Sequence, residues 1–517
     1  LVPNHQSHAD YVAINYMFYR KYKVPVYSAG GKNLNLPLLG FLFRKVGCFF
    51  IRRSFSSDIT YKLSLEAYLY YLLKTGRVIE FFFEGGRSRT GKLLPPRFGL
   101  YGMLMDAHAE LSKETSKKLT FIPVSIAHEY IPETRTLAKE LAGGKKKKES
   151  FKQLFGLFKL FSYQLGSIHI KLGNPIEINS LRPNAAPGVM KREIEYLAFQ
   201  CFREVGRNML VTPTSLLSLI MLDEPSGAML WKDILNKSSA IVNYCNKFKI
   251  PCTNSLNEQY RENSLERAMD ILVGNKQVNI IGQKSGGSLY YSILEECRRE
   301  ILYSKNTIIH HFLIPSIINY AWINVFSGQT KSVDDLKKLF LQQRSQLKHE
   351  FYLPTVKQFF YGTLHVVGDA IDRKILKLEE LMNFSNRELY MIVSGLGIFN
   401  RTFSYVSEAY YISGLTLKVL NEEYPEGFKR DVYKKRFKII FYEQLKIGRI
   451  IRYQESYTVP LTESSLKYFI HQKLLVNEGG FLKIIEPGKL DGLIGRYEKN
   501  LLDQLTFNIR VPKAPKK

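Results

Sequence analysis

Cysteine is scarce in this sequence, and long apolar runs are missing. The 517 residues include five cysteines, none of them in a CxxC pair. This pattern argues against a zinc site and favours a reducing compartment. No apolar run reaches the ~18–20 residues that cross a bilayer. The nearest approach, Phe312–Phe326, is interrupted by a proline and by polar residues. We therefore expect any membrane association to be peripheral or shallowly embedded.

Acidic residues are also too few to balance the basic ones. The chain has 74 Lys and Arg against 47 Asp and Glu, which gives a formal net charge of +27. Such an excess predicts an anionic partner, whether nucleic acid, a phosphorylated metabolite, an acidic protein or a lipid surface. Residues 1–180 hold 27 basic and 13 acidic side chains, so positive charge is densest there. Nucleic-acid binding is disfavoured, because the phenylalanines follow strands and helix faces instead of interleaving with the basic residues.

What the sequence does have is enough apolar side chains for a large core, at 45% of its residues. In residues 1–180, short apolar runs alternate with segments of helical periodicity, which predicts an α/β fold with a largely parallel sheet. The predicted strands are Val24–Ala29, Cys48–Ile51, Arg77–Phe83, Leu119–Ile126 and Ser167–Gly173, and the predicted helices are Tyr11–Lys23, Asp58–Lys74 and Leu100–Ser112. Ligand sites in such sheets lie in loops at the strand ends.

The pattern changes near Pro183–Gly188, where long helical periodicities begin. Examples are Val189–Arg207, Leu216–Leu222 and Ser288–Leu302, and a strand is predicted only near Phe481–Ile485. We predict an α/β domain over residues 1–182 and a mainly helical region over residues 183–517. The chain opens without an initiator Met, so we also expect residues upstream of it.

The segment H-Q-S-H-A-D places His5 and Asp10 five residues apart, where a loop enters a helix. A carboxylate in the first helical turn can orient the imidazole, which leaves its other nitrogen free as a general base. The alternative is a plain loop histidine beside a helix-capping aspartate. His8 is a competing candidate, but its offset of two from Asp10 is awkward in a helix.

Two basic segments follow at predicted strand ends. In G-C-F-F-I-R-R, the strand ends in Arg52 and Arg53, whose guanidinium forks suit phosphate oxygens or simply flank the strand in solvent. In the loop F-F-E-G-G-R-S-R-T-G-K, the glycines allow a close backbone approach to an anion. The spacing of this loop is not that of a P-loop, and a solvated basic loop is the alternative.

A fourth segment, F-I-P-V-S-I, is a strand that contains Pro123. Together the four segments resemble the motifs of the glycerolipid acyltransferase superfamily, which read H-x4-D, G-x-x-F-I-x-R, F-x-E-G-x-R-S and a proline-containing strand. The stretches EGGRSRTGKLL, AKELAGGKKKKES, VTPTSLLSLIML and NTIIHHFLIPSI are similar to the bacterial membrane-bound glycerol-3-phosphate 1-O-acyltransferases in particular.

The resemblance implies a mixed sheet flanked by helices, followed by a mostly helical C-terminal region. It also implies transfer of a long acyl chain from acyl-CoA or acyl carrier protein to the sn-1 hydroxyl of glycerol 3-phosphate, which gives lysophosphatidate. This is the first step of phospholipid synthesis, toward CDP-diacylglycerol. No cofactor and no metal are implied, since a thioester is already activated and the acceptor hydroxyl is the nucleophile. Acylation of glycerone phosphate, and a membrane-binding scaffold without activity, are the alternatives.

Residue roles follow from the same resemblance. His5 is the general base and Asp10 orients it. The substrate-binding residues implied are Arg53, Glu84, Gly85, Arg87, Ser88 and Pro123, with Arg52 and Arg89 as weaker candidates.

The basic charge predicts two further partners, an acidic acyl carrier protein and an anionic membrane surface. Phe151–Leu165 has apolar residues at helical spacing just after the polybasic run Lys145–Lys148, and Leu36–Phe43 is a second apolar segment. Each fits lipid contact, although packing on the core or lining an acyl tunnel are alternatives. The expected location is the cytoplasmic face of the bacterial inner membrane.

Overall fold

The chain forms two compact units in a computed structural model that describes residues 1–32, 35, 39–52, 58–144, 164–178, 187–224, 227–282, 289–326, 328–351, 353–450 and 454–510. The described residues of the first unit fall within 1–134, 146–217 and 242–275, and those of the second within 135–145, 218–241 and 276–517. Both units are discontinuous in sequence. The predicted domain boundary after residue 182 falls within a segment of the first unit.

The elements are numbered here along the described part of the chain. The strands are β1 (Val2–Pro3), β2 (Val26–Gly31), β3 (Phe49–Ile51), β4 (Val78–Glu80), β5 (Leu119–Phe121), β6 (Pro123–His128), β7 (Ile168–Leu172), β8 (Ile176–Ile178), β9 (Ala228–Leu230), β10 (Val278–Ile281), β11 (Tyr290–Ile293), β12 (Phe428–Lys429), β13 (Leu475–Glu478) and β14 (Phe481–Ile484). The helices are α1 (Asp10–Tyr22), α2 (Leu39–Lys45), α3 (Ile59–Lys74), α4 (Gly99–Leu111), α5 (Thr134–Leu141), α6 (Pro187–Asn208), α7 (Pro213–Asp223), α8 (Trp231–Lys247), α9 (Arg261–Gly274), α10 (Arg298–Ile308), α11 (Leu313–Phe326), α12 (Val333–Leu347), α13 (Val356–Ala370), α14 (Asn386–Leu396), α15 (Ser404–Glu423), α16 (Arg430–Lys446), α17 (Val459–His471) and α18 (Pro487–Arg510).

The first unit is built on strands that run mostly parallel. β2 pairs in parallel with β3 and with β4, and β1 pairs in parallel with β6. The Phe81 N–H donates to the Leu1 carbonyl at 3.1 Å, which joins the end of β4 to the start of β1. β7 then pairs antiparallel with β6, so the arrangement is mixed, as the resemblance implied.

Helices α3, α4 and α6 cover these strands with apolar residues. Leu69 of α3, Tyr101 of α4 and Ala198 of α6 are fully buried in one cluster with Phe83 and Phe121. The cluster forms because residues at helical spacing put one apolar face of each helix on the sheet. The packed helices therefore fix the positions of the strands and of the loops at their ends.

The predicted elements of residues 1–180 are confirmed to within a few residues. The exception is Leu119–Ile126, which is not one strand but two, β5 and β6, joined at Ile122. Because Pro123 has no N–H to donate, the ladder breaks there, and β5 pairs instead with β8.

The second region is mainly helical, as predicted, but it has more strands than its periodicity indicated. β9, β10 and β11 form one antiparallel sheet, and β12, β13 and β14 form another. The helix predicted over Ser288–Leu302 is wrong in its first half, because Tyr290–Ile293 is the strand β11. These strands are two to four residues long. Such short strands leave too few residues for an alternating pattern to show.

One helical segment, Glu295–Val325, is long and apolar enough to cross a membrane by length and composition alone. It extends the interrupted run at Phe312–Phe326. Most of it is buried inside the second unit, and the core helix of a soluble protein passes the same test. Of the segments predicted to contact lipid, residues 145–163 and 36–38 are outside the described residues, and Leu39–Phe43 belongs to α2.

Candidate active site

The candidate site begins where β1 ends beside β6. Asn4 follows β1, and its side-chain amide continues the pairing, because Nδ2 donates to the Ile126 carbonyl at 3.1 Å and Oδ1 accepts from the Ile126 N–H at 2.7 Å. This amide fixes the direction in which the chain leaves the sheet. His5 is the next residue, so it lies at the carboxyl ends of parallel strands, where ligands bind in α/β sheets.

His5 and Asp10 meet, as the sequence predicted. His5 Nδ1 lies 2.8 Å from Asp10 Oδ2, and the same oxygen accepts from the backbone N–H groups of Gln6 and Ser7 at 2.6 and 2.9 Å. These bonds fold the loop back onto the first residue of α1. An ionised carboxylate only accepts hydrogen bonds, so Nδ1 carries the proton. His5 Nε2, which has no hydrogen-bond partner among the described residues, is then the basic nitrogen.

One face of the His5 ring packs against an aromatic side chain. It stacks on Phe82 with ring centroids 4.0 Å apart, and its side chain keeps 13% of its surface exposed. Asp10 is completely buried. The pair therefore has a fixed inner member and an outer member whose edge can reach a substrate.

A second histidine, His128, holds the other oxygen of Asp10. It lies at the end of β6, and its Nε2 is 2.6 Å from Asp10 Oδ1. Burial alone would raise the pKa of Asp10, but the hydrogen bonds with His128 and His5 outweigh it and lower that pKa below its usual value. Asp10 therefore stays ionised, and it orients both imidazoles.

The loop after β4 supports this pair through its backbone. The Ser88 N–H donates to the His5 carbonyl at 2.8 Å, and the Ser88 hydroxyl donates to the Lys92 carbonyl at 2.6 Å. Glu84 is buried and accepts hydrogen bonds from the Leu94 N–H, at 3.3 Å, and from the His5 backbone. Burial raises the pKa of Glu84 well above its usual value, against these two hydrogen bonds. In this geometry Ser88 and Glu84 pin the loop to His5.

Gly85 is exposed at the turn of the same loop, with φ of +66°. A side chain there would be strained by this backbone conformation, and its Cβ would lie 3.0 Å from Arg97 Cγ. Arg87 is half-buried, and its Nη1 lies 3.6 Å from Glu133 Oε1. That oxygen also accepts from the Ser7 hydroxyl at 2.9 Å and from the His8 N–H at 3.1 Å. Glu133 therefore links Arg87 to the loop between His5 and Asp10.

Two of the other predicted binding residues, Arg52 and Pro123, make contacts away from the pair. Arg52 is exposed, and its Nη1 bonds to Asp58 Oδ2 at 2.7 Å. Pro123 begins β6, at the opposite end of that strand from His128. Arg89 lies half-buried in the loop after β4, and Arg53 is outside the described residues. Their substrate contacts stay predictions.

His128 and Glu133 were missed by sequence reasoning. His128 ends the proline-containing strand and Glu133 follows it, in the stretch V-S-I-A-H-E-Y-I-P-E, more than 115 residues beyond Asp10. The available signal was a histidine at a strand end, since parallel strands gather their carboxyl ends at one edge. The spacing between neighbouring residues carries no such information.

Comparison with known proteins identifies the family of this chain. Residues 1–127 match the family model described as acyltransferase. Residues 137–478 match the model described as glycerol-3-phosphate acyltransferase C-terminal region. The chain therefore belongs to the glycerol-3-phosphate acyltransferase family.

Individual relatives carry the same name. The chain is 28% identical over 400 residues to a glycerol-3-phosphate acyltransferase of Pseudoalteromonas translucida, covering 73% of this chain and 46% of that protein. For one of Glaesserella parasuis the identity is 26% over 437 residues, covering 82% and 52%. For one of Xylella fastidiosa it is 28% over 399 residues, covering 73% and 44%. The chain thus spans about half the length of the curated relatives it matches.

Proposed function

We propose that this chain transfers a long acyl chain from a thioester to the sn-1 hydroxyl of glycerol 3-phosphate and so forms lysophosphatidate. The observation that carries the proposal is the His5–Asp10 pair, in which Nδ1 is bonded to the carboxylate and the His5 side chain stays 13% exposed. Family membership and the names of the relatives support the choice of substrate.

In the proposed reaction, His5 Nε2 takes the proton of the acceptor hydroxyl as its oxygen attacks the thioester carbonyl carbon. The tetrahedral intermediate then expels the thiolate, which receives that proton from His5 to leave as a thiol. The carbon–sulfur bond breaks, a carbon–oxygen ester bond forms, and no cofactor is consumed. A base of this kind is typically worth about 10²–10⁴-fold in rate.

Asp10 and His128 act in this proposal as positioning residues. Asp10 stabilises the imidazolium that forms when His5 accepts the proton, and it fixes the tautomer beforehand. His128 holds Asp10 through Oδ1, the oxygen that His5 does not use. The carboxylate can therefore not rotate away from His5.

Arg87 is the described cation best placed for the phosphate of the acceptor. Its partner Glu133 is bonded to Ser7 and His8, the residues between His5 and Asp10, so the guanidinium lies near the base. Arg guanidinium groups bind phosphate oxygens with two parallel hydrogen bonds. Arg53 stays a second candidate, and Arg52, Arg89 and Pro123 remain further proposals.

Acyl-CoA and acyl carrier protein are both proposed donors. The net positive charge of residues 1–180 supports docking of an acidic carrier protein and of an anionic membrane surface. We place the protein on the cytoplasmic face of the inner membrane, peripherally or shallowly embedded.

The test is an acceptor comparison with purified protein in phospholipid vesicles. Radiolabelled glycerol 3-phosphate, glycerone phosphate and lysophosphatidate are each incubated with long-chain acyl-CoA, and separately with acyl carrier protein charged with the same chain. We expect product chiefly from glycerol 3-phosphate. Faster acylation of glycerone phosphate, or no acylation of any acceptor by either donor, would contradict the proposal.

A further inference from the structure

Helix α1 carries Asp10 on its buried face and apolar side chains on its exposed face. Val12, Tyr16 and Tyr19 are spaced four and three residues apart, so they share one side of the helix. Their exposed fractions are 56%, 66% and 60%. Isolated exposed apolar residues are normal, but a row of them on one helix face marks an interaction site.

Helix α2 continues this surface. Phe41, Leu42 and the following Val46 are at least half exposed. The two helices contact each other, because the rings of Tyr11 and Phe43 meet edge to face with centroids 5.6 Å apart. We call one set of exposed residues, on the two helices and directly after them, the aromatic–basic face. It comprises Val12, Tyr16, Tyr19, Arg20, Lys23, Phe41, Leu42, Arg44, Lys45 and Val46.

The charges of this part of the chain have a single sign. Residues 11–57 contain eight Lys and Arg and no Asp or Glu. On the described helices, the cations lie beside the aromatic rings: Lys23 Nζ is 5.7 Å from the Tyr19 ring centroid and Lys45 Nζ is 4.7 Å from that of Phe41. Apolar contact and anion attraction are thus offered by the same surface.

We propose that the aromatic–basic face docks on an anionic lipid surface. Tyrosine rings and long basic side chains suit the boundary between headgroups and acyl chains, where one end is apolar and the other is charged. The aliphatic Val12, Leu42 and Val46 favour lipid over nucleic acid or an acidic carrier protein, because they gain most by entering an acyl layer. The inference rests on the proposed function only for the reason that the protein would need to bind lipid. The binding itself can be measured without substrate.

Docking through this face would place the catalytic pair next to the lipid. Asp10 begins α1, and a helix with its side chains is about 10–12 Å across. The exposed row and the buried carboxylate lie on opposite sides of that one helix. A water-insoluble acyl chain would then have a short path between the bilayer and His5.

The experiment measures sedimentation of the protein with vesicles of phosphatidylcholine, with and without phosphatidylglycerol, in the absence of substrate. The variants are Tyr16→Ser with Tyr19→Ser, and Arg20→Gln with Lys23→Gln. Matched controls are Tyr196→Ser on α6 and Tyr361→Ser on α13, whose tyrosines are 61% and 74% exposed. Circular dichroism melting checks that each variant is folded.

We expect the double tyrosine variant to lose about tenfold or more in vesicle partitioning. The basic-residue variant should lose the preference for phosphatidylglycerol, and both controls should bind as the parent does. Folded face variants that bind like the parent would overturn the inference. The inference would also be overturned if the parent protein did not sediment with vesicles but did bind acidic acyl carrier protein. Acyl transfer measured in detergent tests the proposed function separately.

Discussion

The two units of this chain both bury charged side chains, but the partners of these charges differ in how far they are exposed to solvent. In the first unit, Asp10 holds His5 and His128, and the His5 side chain stays partly exposed to solvent. In the second, Arg298 is enclosed: its Nε and Nη2 donate to both oxygens of Glu455 at 2.7–3.0 Å, and the two side chains are only 5% and 2% exposed. A buried charge serves chemistry when one atom of its network stays accessible.

A second enclosed pair makes the same point. Lys305 donates to Asp223, whose other oxygen accepts from the Thr402 hydroxyl at 3.2 Å. Arg298 and Lys305 both belong to the long apolar segment Glu295–Val325. Charges in an apolar helix need partners, and here the partners come from the same unit. This pairing explains how the segment can be a buried core helix although it contains two cationic side chains.

Replacing Asp10 by Asn should give the largest effect. We expect kcat/KM for glycerol 3-phosphate to fall about 10²–10⁴-fold, because a neutral amide cannot stabilise the imidazolium or fix both histidines. The matched control is the same carboxyl-to-amide change in the second unit, Glu455→Gln, which should leave turnover per folded molecule unchanged. If both variants lost turnover equally, the claim that the Asp10 network serves catalysis and the Glu455 pair only stability would be contradicted.

Glu455→Gln should instead lower stability. Removing one charge from a buried pair leaves Arg298 uncompensated, so we expect the free energy of unfolding to drop by about 3 kcal/mol. Urea unfolding followed by circular dichroism measures this. The double change Arg298→Met with Glu455→Leu should recover most of the loss, since it buries no charge. If the double variant were less stable than Glu455→Gln, the pair would have a role beyond charge compensation.

His128→Ala should have a smaller catalytic effect than Asp10→Asn. The loss of one hydrogen bond to a charged group predicts a fall in kcat of about 10–100-fold, with KM for glycerol 3-phosphate little changed. His128→Gln, which keeps a donor, should recover part of the rate. A change confined to KM would mean that His128 contacts substrate and does not position Asp10.

Glu84→Gln should change the pH dependence of stability. The pKa of Glu84 is raised by burial, so the folded protein holds a proton that the unfolded chain releases above about pH 4.3. The free energy of unfolding contributed by Glu84 is therefore present below that pH and falls as pH rises toward the folded pKa. Between about pH 5 and about pH 8, the variant should lose less stability than the parent. Parallel pH dependences would show that Glu84 is ionised when folded.

Much of the first unit could be predicted from the sequence, because its signals are local. His5 and Asp10 are five residues apart at the start of a helix, so their contact needs only one loop to fold back. The strands and helices around them have clear periodicity. Their bounds were found to within a few residues.

The rest depends on contacts between distant residues. His128 reaches Asp10 only because β1 and β6 pair in the register Val2 to Pro123, which no local pattern specifies. Ser88 and Glu84 were predicted as substrate contacts from motif position. In the structure they bond to Lys92, Leu94 and the His5 backbone, and such partners cannot be read from a motif.

The central claim is that His5 takes the proton of the acceptor hydroxyl, and single-turnover acyl transfer tests it most directly. Parent and His5→Ala are mixed with labelled glycerol 3-phosphate and limiting acyl-CoA, with His169→Ala, a half-buried histidine of β7, as the control. We predict that lysophosphatidate formation slows about 10²–10⁴-fold in His5→Ala and is unchanged in the control. Formation by His5→Ala at the rate of the parent would contradict the account.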